Sequence, residues 1–194
     1  QMMEISGEVI TQNTSLIIAP ETALSSSLEE SMMIHSDEVK IIQKFLADFP
    51  KAKLLIGAST HAFFEKENSI ASRELKQGGF WEAYNSALLI DTSFQIDTYH
   101  KMKLVLGVET LPFQFITKPL ESLFDLGGTS GSLGTEKEPK NFTVGKTKVA
   151  PTICYESIYG EFIGEFCAKG AGIIAVSTND AWWYDTPGYK QLLA

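Results

Sequence analysis

Val149-Ala-Pro-Thr-Ile-Cys-Tyr-Glu-Ser157 is an apolar, β-prone run that ends in a cysteine and then turns polar. A strand stops there, and the spacing of Ile158, Phe162, Ile163 and Phe166 predicts that a helix begins. A thiol at a strand-to-helix junction lies beside free N–H groups at the positive end of the helix dipole, where a thiolate and the oxyanion of an acyl adduct are both stabilised. Cys154 is therefore a candidate nucleophile. Alone it has a plainer reading, because free cysteine is among the most buried residue types and an isolated one in an apolar segment is more often a small core residue.

Outward from this stretch, apolar strands alternate with amphipathic helices. Strands are predicted at 16–19, 54–59, 84–91, 96–103, 143–154 and 173–177. Helices are predicted at the start of the chain, at 36–49 with Val39, Ile42 and Leu46 at helical spacing and Asp37 in the first turn, and at 158–169 with Gly170 as the stop. The short polar turn between 84–91 and 96–103 suits a hairpin. The class is α/β, in one domain: 194 residues with 44% apolar content can bury a substantial core. Cys167 shares the pattern of Phe162 and Phe166 and is expected in the core.

Two further segments offer partners for the thiol. Thr14-Ser-Leu-Ile-Ile-Ala-Pro-Glu-Thr22 is a strand that delivers Glu21 at its carboxyl end, where open α/β sheets place their ligands. Glu21 is a candidate general base; read by itself, it is a solvated carboxylate or a helix cap. Tyr99-His-Lys-Met-Lys-Leu-Val105 supplies Lys101, able to lower a thiol pKa and hold an oxyanion, with Lys103 as a competitor and Glu109 a few residues on. Alternation along the strand sets His100 on the face opposite Lys101.

Taken in order, these segments resemble the nitrilase, or carbon-nitrogen hydrolase, superfamily, whose active site is a Glu, Lys and Cys set in that chain order. Within it the likeness is to the apolipoprotein N-acyltransferases, carried by Ala19-Pro-Glu-Thr-Ala23, Tyr99-His-Lys101 followed by Leu104-Val105 and Glu109, Cys154-Tyr-Glu156, and Asn179-Asp-Ala-Trp182. The likeness is weakest at 65–76 and 118–140, which read as variable loops. Where the family often has Leu-Val-Pro-Phe-Gly-Glu, this chain has Leu104-Val-Leu-Gly-Val-Glu109, which puts the shape of the loop carrying Glu109 in question. Trp183 and Tyr184 follow Trp182 where the family often has an aromatic and then glycine.

The resemblance implies a four-layer α-β-β-α sandwich and the following chemistry. Glu21 acts as base, Lys101 as oxyanion holder and Cys154 as nucleophile, with Glu109 positioning Lys101 and Glu21, and with Tyr155, Glu156 and Trp182 shaping the substrate pocket. The acyl donor implied is a phospholipid, and the acceptor the N-terminal amine of a diacylglyceryl lipoprotein. It also implies a catalytic domain cut from a longer protein, with membrane helices upstream, in the bacterial inner membrane and on its periplasmic side. A soluble amidase using the same residues differs only in which nucleophile resolves the thioester. A third reading is a catalytically silent, partner-binding domain.

Composition narrows the partners. A net charge of −8 and a pI of about 4.9 lack the clustered cations that nucleic acid requires and give no electrostatic help on anionic lipid. Two cysteines are too few for a disulfide scaffold. No run reaches the ~18–20 apolar residues of a bilayer-spanning helix, and no signal peptide is legible, so the chain as given reads as soluble. His35, His61 and His100 show no ligand spacing, and neither a metal nor another cofactor is expected. Gly127-Gly-Thr-Ser-Gly-Ser-Leu-Gly134 lacks the lysine of a phosphate-binding loop and reads as a mobile surface loop.

Overall fold

Residues 2–105, 109 and 132–179 are described by the computed structural model. Strand β3 (Lys53–Phe64) is apolar on consecutive positions from Leu54 to Ile56, which a strand sustains only when both its faces are covered. It pairs with β1 (Leu16–Ile18) in parallel and with β5 (Phe80–Ile90) antiparallel, in the register Leu54↔Ile90 through Phe64↔Phe80. Strand β6 (Asp97–His100) returns along β5 as the expected hairpin, with Ser86↔His100 and Ala87↔Tyr99 opposed. Two short strands not foreseen from sequence, β2 (Leu28–Glu29) and β4 (Arg73–Glu74), extend the sheet beside β3 and β5.

On one face Leu54, Ile56, Ala58, Leu88 and Ile90 meet Val39, Ile42 and Leu46 of α2 (Asp37–Leu46). The Ser36 hydroxyl caps this helix by accepting from the Val39 N–H, and Asp37 and Glu38 complement its dipole. The helix stops at Leu46, short of the predicted 49: Pro50 disfavours helical geometry at Phe49, whose N–H instead closes a tight turn onto Leu46 O at 2.8 Å. A shorter helix, α1 (Met2–Val9), has no fully buried residue. On the other face Leu55, Ala87, Leu89 and Tyr99 meet the second sheet, where β7 (Phe142–Val144) is antiparallel and β9 (Ala171–Ser177) parallel to β8 (Thr147–Ile153). Helix α3 (Gly160–Ala168) is the crossover from β8 to β9 and lays Phe162 and Phe166 into the same cluster. The arrangement is the α-β-β-α sandwich that the resemblance implies.

Several expectations need correction. The single strand expected over 143–154 is a hairpin that turns at Gly145, whose φ of +60° is open to glycine at no steric cost. The helix expected over 158–169 starts at Gly160, because Cys154–Ile158 form a 3-10 turn. Cys167 is exposed: it follows the buried Phe166 by one position, a rotation of about 100° that carries it off the buried face. Ser132 to Gly134, the described end of the glycine-rich run, is packed, with the Gly134 N–H donating to Ala83 O at 2.8 Å and no room for a Cβ against Tyr84. Positions 127–131 lie outside the described residues.

Candidate active site

Glu21 lies in a turn just beyond β1. Ala19 N–H donates to Leu55 O at 2.8 Å and Ala23 N–H to Gly57 O at 2.9 Å, drawing the turn onto β3. The approach is so close that a Cβ on Gly57 would lie 2.6 Å from Glu21 Cα and 2.7 Å from Thr22 N. Thr22 takes a φ of +49° to complete the turn, and Glu21 ends only 3% exposed.

Lys101 follows β6, and the strand's alternation separates it from His100 as predicted. His100 stacks on Tyr84 with centroids 3.8 Å apart and pairs with Glu30 at 2.6 Å, apart from the Lys101 carboxylates. Lys101 is 1% exposed, and its Nζ donates to Glu109 Oε1 at 2.9 Å and to Glu21 Oε1 at 3.4 Å. Asn85, not singled out in the sequence, joins the same two carboxylates: its Nδ2 donates to Glu21 Oε1 at 2.8 Å and Glu109 Oε1 at 2.7 Å. Burial works against the Lys101 charge, but the Glu21 and Glu109 carboxylates outweigh it and hold the ammonium above the ordinary lysine range. The altered loop sequence therefore still brings Glu109 to Lys101, with Glu109 Oε2 accepting from Val105 N–H at 2.9 Å. Lys103 is elsewhere, its Nζ 5.1 Å from the centre of the Phe162 ring.

Cys154 is the first residue of the turn after β8 and has a φ of +50°, a conformation that costs a non-glycine residue about 1–3 kcal/mol. It is 8% exposed. Burial, with the Glu21 charge next, pushes its thiol above the usual range; the Thr178 hydroxyl, Lys101 and the Tyr155 N–H work in the opposite direction. Cys154 therefore rests as a protonated thiol. Thr178 also bonds the Glu21 turn, accepting from Glu21 N–H at 3.4 Å. The one sequence signal for Thr178 was its place directly before Asn179-Asp-Ala-Trp182.

Of the residues expected to shape the pocket, Tyr155 is half-buried, its ring edge-on to Tyr159 at 5.5 Å. Glu156 is 0% exposed and lies behind the site. Its Oε1 accepts from Tyr99 OH at 2.8 Å, Met102 N–H at 2.7 Å and Lys103 N–H at 3.2 Å, and its Oε2 from Ile153 N–H at 2.8 Å. One carboxylate therefore ties the lysine segment to the cysteine turn. Trp182 lies outside the described residues. A cavity of about 550 Å³ opens beside Glu109 and Asn85, walled by Thr22, Thr60, Tyr84, Trp81 and Arg73 among others. Among the described residues, no three His, Cys, Asp or Glu side chains group as a metal site would require.

A buried Glu-Lys-Glu cluster beside a cysteine in a strained strand-to-helix turn is equipped for nucleophilic acyl chemistry. The carbon-nitrogen hydrolase family matches residues 1–194, the entire chain. The chain belongs to that family. In fold it is similar to a CN-hydrolase superfamily protein from Xanthomonas campestris, with a TM-score of 0.53 and 15% identity over 98% of this chain and 63% of the other. A branch 10 nitrilase-superfamily member from Saccharomyces cerevisiae gives a TM-score of 0.53 and 14% identity over 93% and 57%. In sequence this carbon-nitrogen hydrolase domain is similar to the apolipoprotein N-acyltransferase of Haemophilus influenzae, 27% identical over 98% of this chain and 34% of the relative. The enzyme of the same name from Pseudomonas syringae pv. tomato is 32% identical over 94% and 32%. The chain spans about a third of the length of these relatives.

Proposed function

We propose that the chain is the catalytic domain of an N-acyltransferase that moves a fatty-acyl group from phospholipid to the N-terminal amine of a diacylglyceryl lipoprotein. The observation that carries the chemistry is the convergence of Glu21 and Glu109 on the buried Lys101 beside Cys154. Likeness to named N-acyltransferases over nearly the full chain supports the choice of substrates. Bilayer contact comes from membrane helices elsewhere in the gene product, in the bacterial inner membrane with this domain on the periplasmic side. Among the described residues, no helix is long and apolar enough to cross a membrane.

In the first half-reaction the Glu21 carboxylate removes the Cys154 proton as sulfur bonds to the ester carbonyl carbon. The carbonyl electron pair moves to oxygen, where the Lys101 ammonium and the Tyr155 N–H hold the charge. Collapse breaks the C–O bond, and the lysophospholipid alkoxide leaves with the proton from Glu21. In the second half the neutral α-amine attacks the thioester, the C–S bond breaks, and Glu21 passes the amine proton to the thiolate. Asn85 Oδ1, which is buried and without a partner among the described residues, is available to accept from that amine. Glu109 and Asn85 keep the Lys101 charge in register with Glu21.

The test is intact-mass analysis of the full gene product in detergent, incubated with phospholipid. A fatty-acyl increment that is discharged by a diacylglyceryl lipopeptide and is lost in Cys154→Ala is the expected result. Turnover of small amides without that increment would replace the transferase by the hydrolase.

A further inference from the structure

The cavity is lined both by Asn85 and Glu109, which bond Glu21 and Lys101, and by Arg73 of β4, which sits over the Trp81 ring, 4.7 Å from its centroid. Of the 16 lysines and arginines in the chain, Arg73 is the single arginine, and among the described lining residues it is the single cation. Its position is built. Strand β4 pairs Arg73 with Trp81, and the adjacent Ser72 hydroxyl donates to the Glu82 carboxylate, which also accepts from Tyr84 OH at 2.7 Å and from Asn68 Nδ2 at 3.2 Å. Glu82 is 1% exposed, and a carboxylate that deep is costly unless its oxygens are satisfied. Here Ser72, Tyr84 and Asn68 donate to it, and the segment 68–74 is anchored to β5 in return. What reads in sequence as a variable loop is thus a fixed mount for one guanidinium.

Lysine would serve for charge alone. Arginine stacked on an indole uses its face for the ring and keeps planar edge donors suited to two oxygens of a phosphate. We propose that Arg73 binds the phosphodiester of the phospholipid acyl donor in this cavity while the donor's ester reaches Cys154. The inference rests on the acyl-transfer reading and adds a site for the donor's headgroup.

The experiment compares acylation of Cys154 by phosphatidylethanolamine and by p-nitrophenyl butyrate, an ester without phosphate, in the detergent-purified full gene product and its Arg73→Ala and Arg73→Lys variants. For a charge-assisted contact, Arg73→Ala should lose about tenfold or more with the phospholipid yet stay within about twofold on p-nitrophenyl butyrate. Arg73→Lys should recover part of the loss. Equal losses on both esters would make Arg73 a packing residue, and no loss on either would remove it from the site; both overturn the proposal. Glycerophosphoethanolamine should slow butyrate acylation in wild type but not in Arg73→Ala. Stronger inhibition by inorganic phosphate would assign the site to free phosphate instead. Wild type that reacts with the butyrate ester but with no phospholipid would refute the transferase reading itself, a result distinct from any change at Arg73.

Discussion

The Cys154 thiol rests between opposing charges, so each neighbour makes a signed prediction. Burial and the Glu21 carboxylate both hold the proton on sulfur, and Lys101 works against them. Alkylation of Cys154 by iodoacetamide should therefore rise with pH through a midpoint above the ordinary thiol range, whereas the exposed Cys167 should react first at neutral pH. Glu21→Gln removes one of the two effects that raise the thiol pKa. It should speed alkylation of Cys154 at neutral pH while slowing acyl transfer about 10²-fold or more, the scale of a lost general base. Lys101→Ala should slow alkylation and abolish acylation, and Lys103→Ala should leave acylation nearly intact. The reverse outcome in mass-shift assays would mean that the other lysine serves the thiol.

At the scale of elements, the site depends on how closely turns approach strands. Gly57→Ala would drive a methyl into the Glu21–Thr22 backbone, which cannot swing aside as a side chain would. With Glu21 as the proposed base, its displacement by about 1 Å is worth about 10²-fold in rate, so acylation should fall far more than the urea midpoint. Glu156 joins the lysine segment to the cysteine turn, and in Glu156→Gln the new amide would face the Ile153 N–H, donor against donor. A stability loss of about 1–3 kcal/mol is expected by urea unfolding. Burial raises the Glu156 pKa despite four donors, so its contribution to folding is full below the ordinary carboxylate value and is lost as pH rises through the raised one. The glutamine does not titrate, so the deficit of Glu156→Gln should be larger at acidic pH than at alkaline pH.

For the whole molecule, β3 carries the two cores on its two faces, α2 on one and the second sheet with α3 on the other. The two halves should therefore unfold together. Leu46→Ala, at about 2–5 kcal/mol, and Phe166→Ala, at about 3–5 kcal/mol, should each shift one cooperative urea transition. Two separated transitions would mean that the sheets fold independently.

The sequence by itself determined the strand–helix alternation, the hairpin of 84–91 with 96–103, and the candidates Glu21, Lys101, Glu109 and Cys154, because periodicity and ordered motifs are local properties of the chain. It placed His100 and Lys101 on opposite faces for the same reason. Only the tertiary structure decided which residues meet. Asn85 and Thr178 were missed because their partners are remote in the chain: the Asn85 amide binds Glu21, 64 positions away. Glu156 reads as a pocket residue beside Cys154, yet four donors, among them Tyr99 and Met102, hold it behind the site. Cys167 turned outward through helical phase, and the segment carrying Arg73 was fixed by a buried Glu82. Except for the helical phase of Cys167, each of these follows from burial and side-chain hydrogen bonding, which exist only once the strands and turns have assembled.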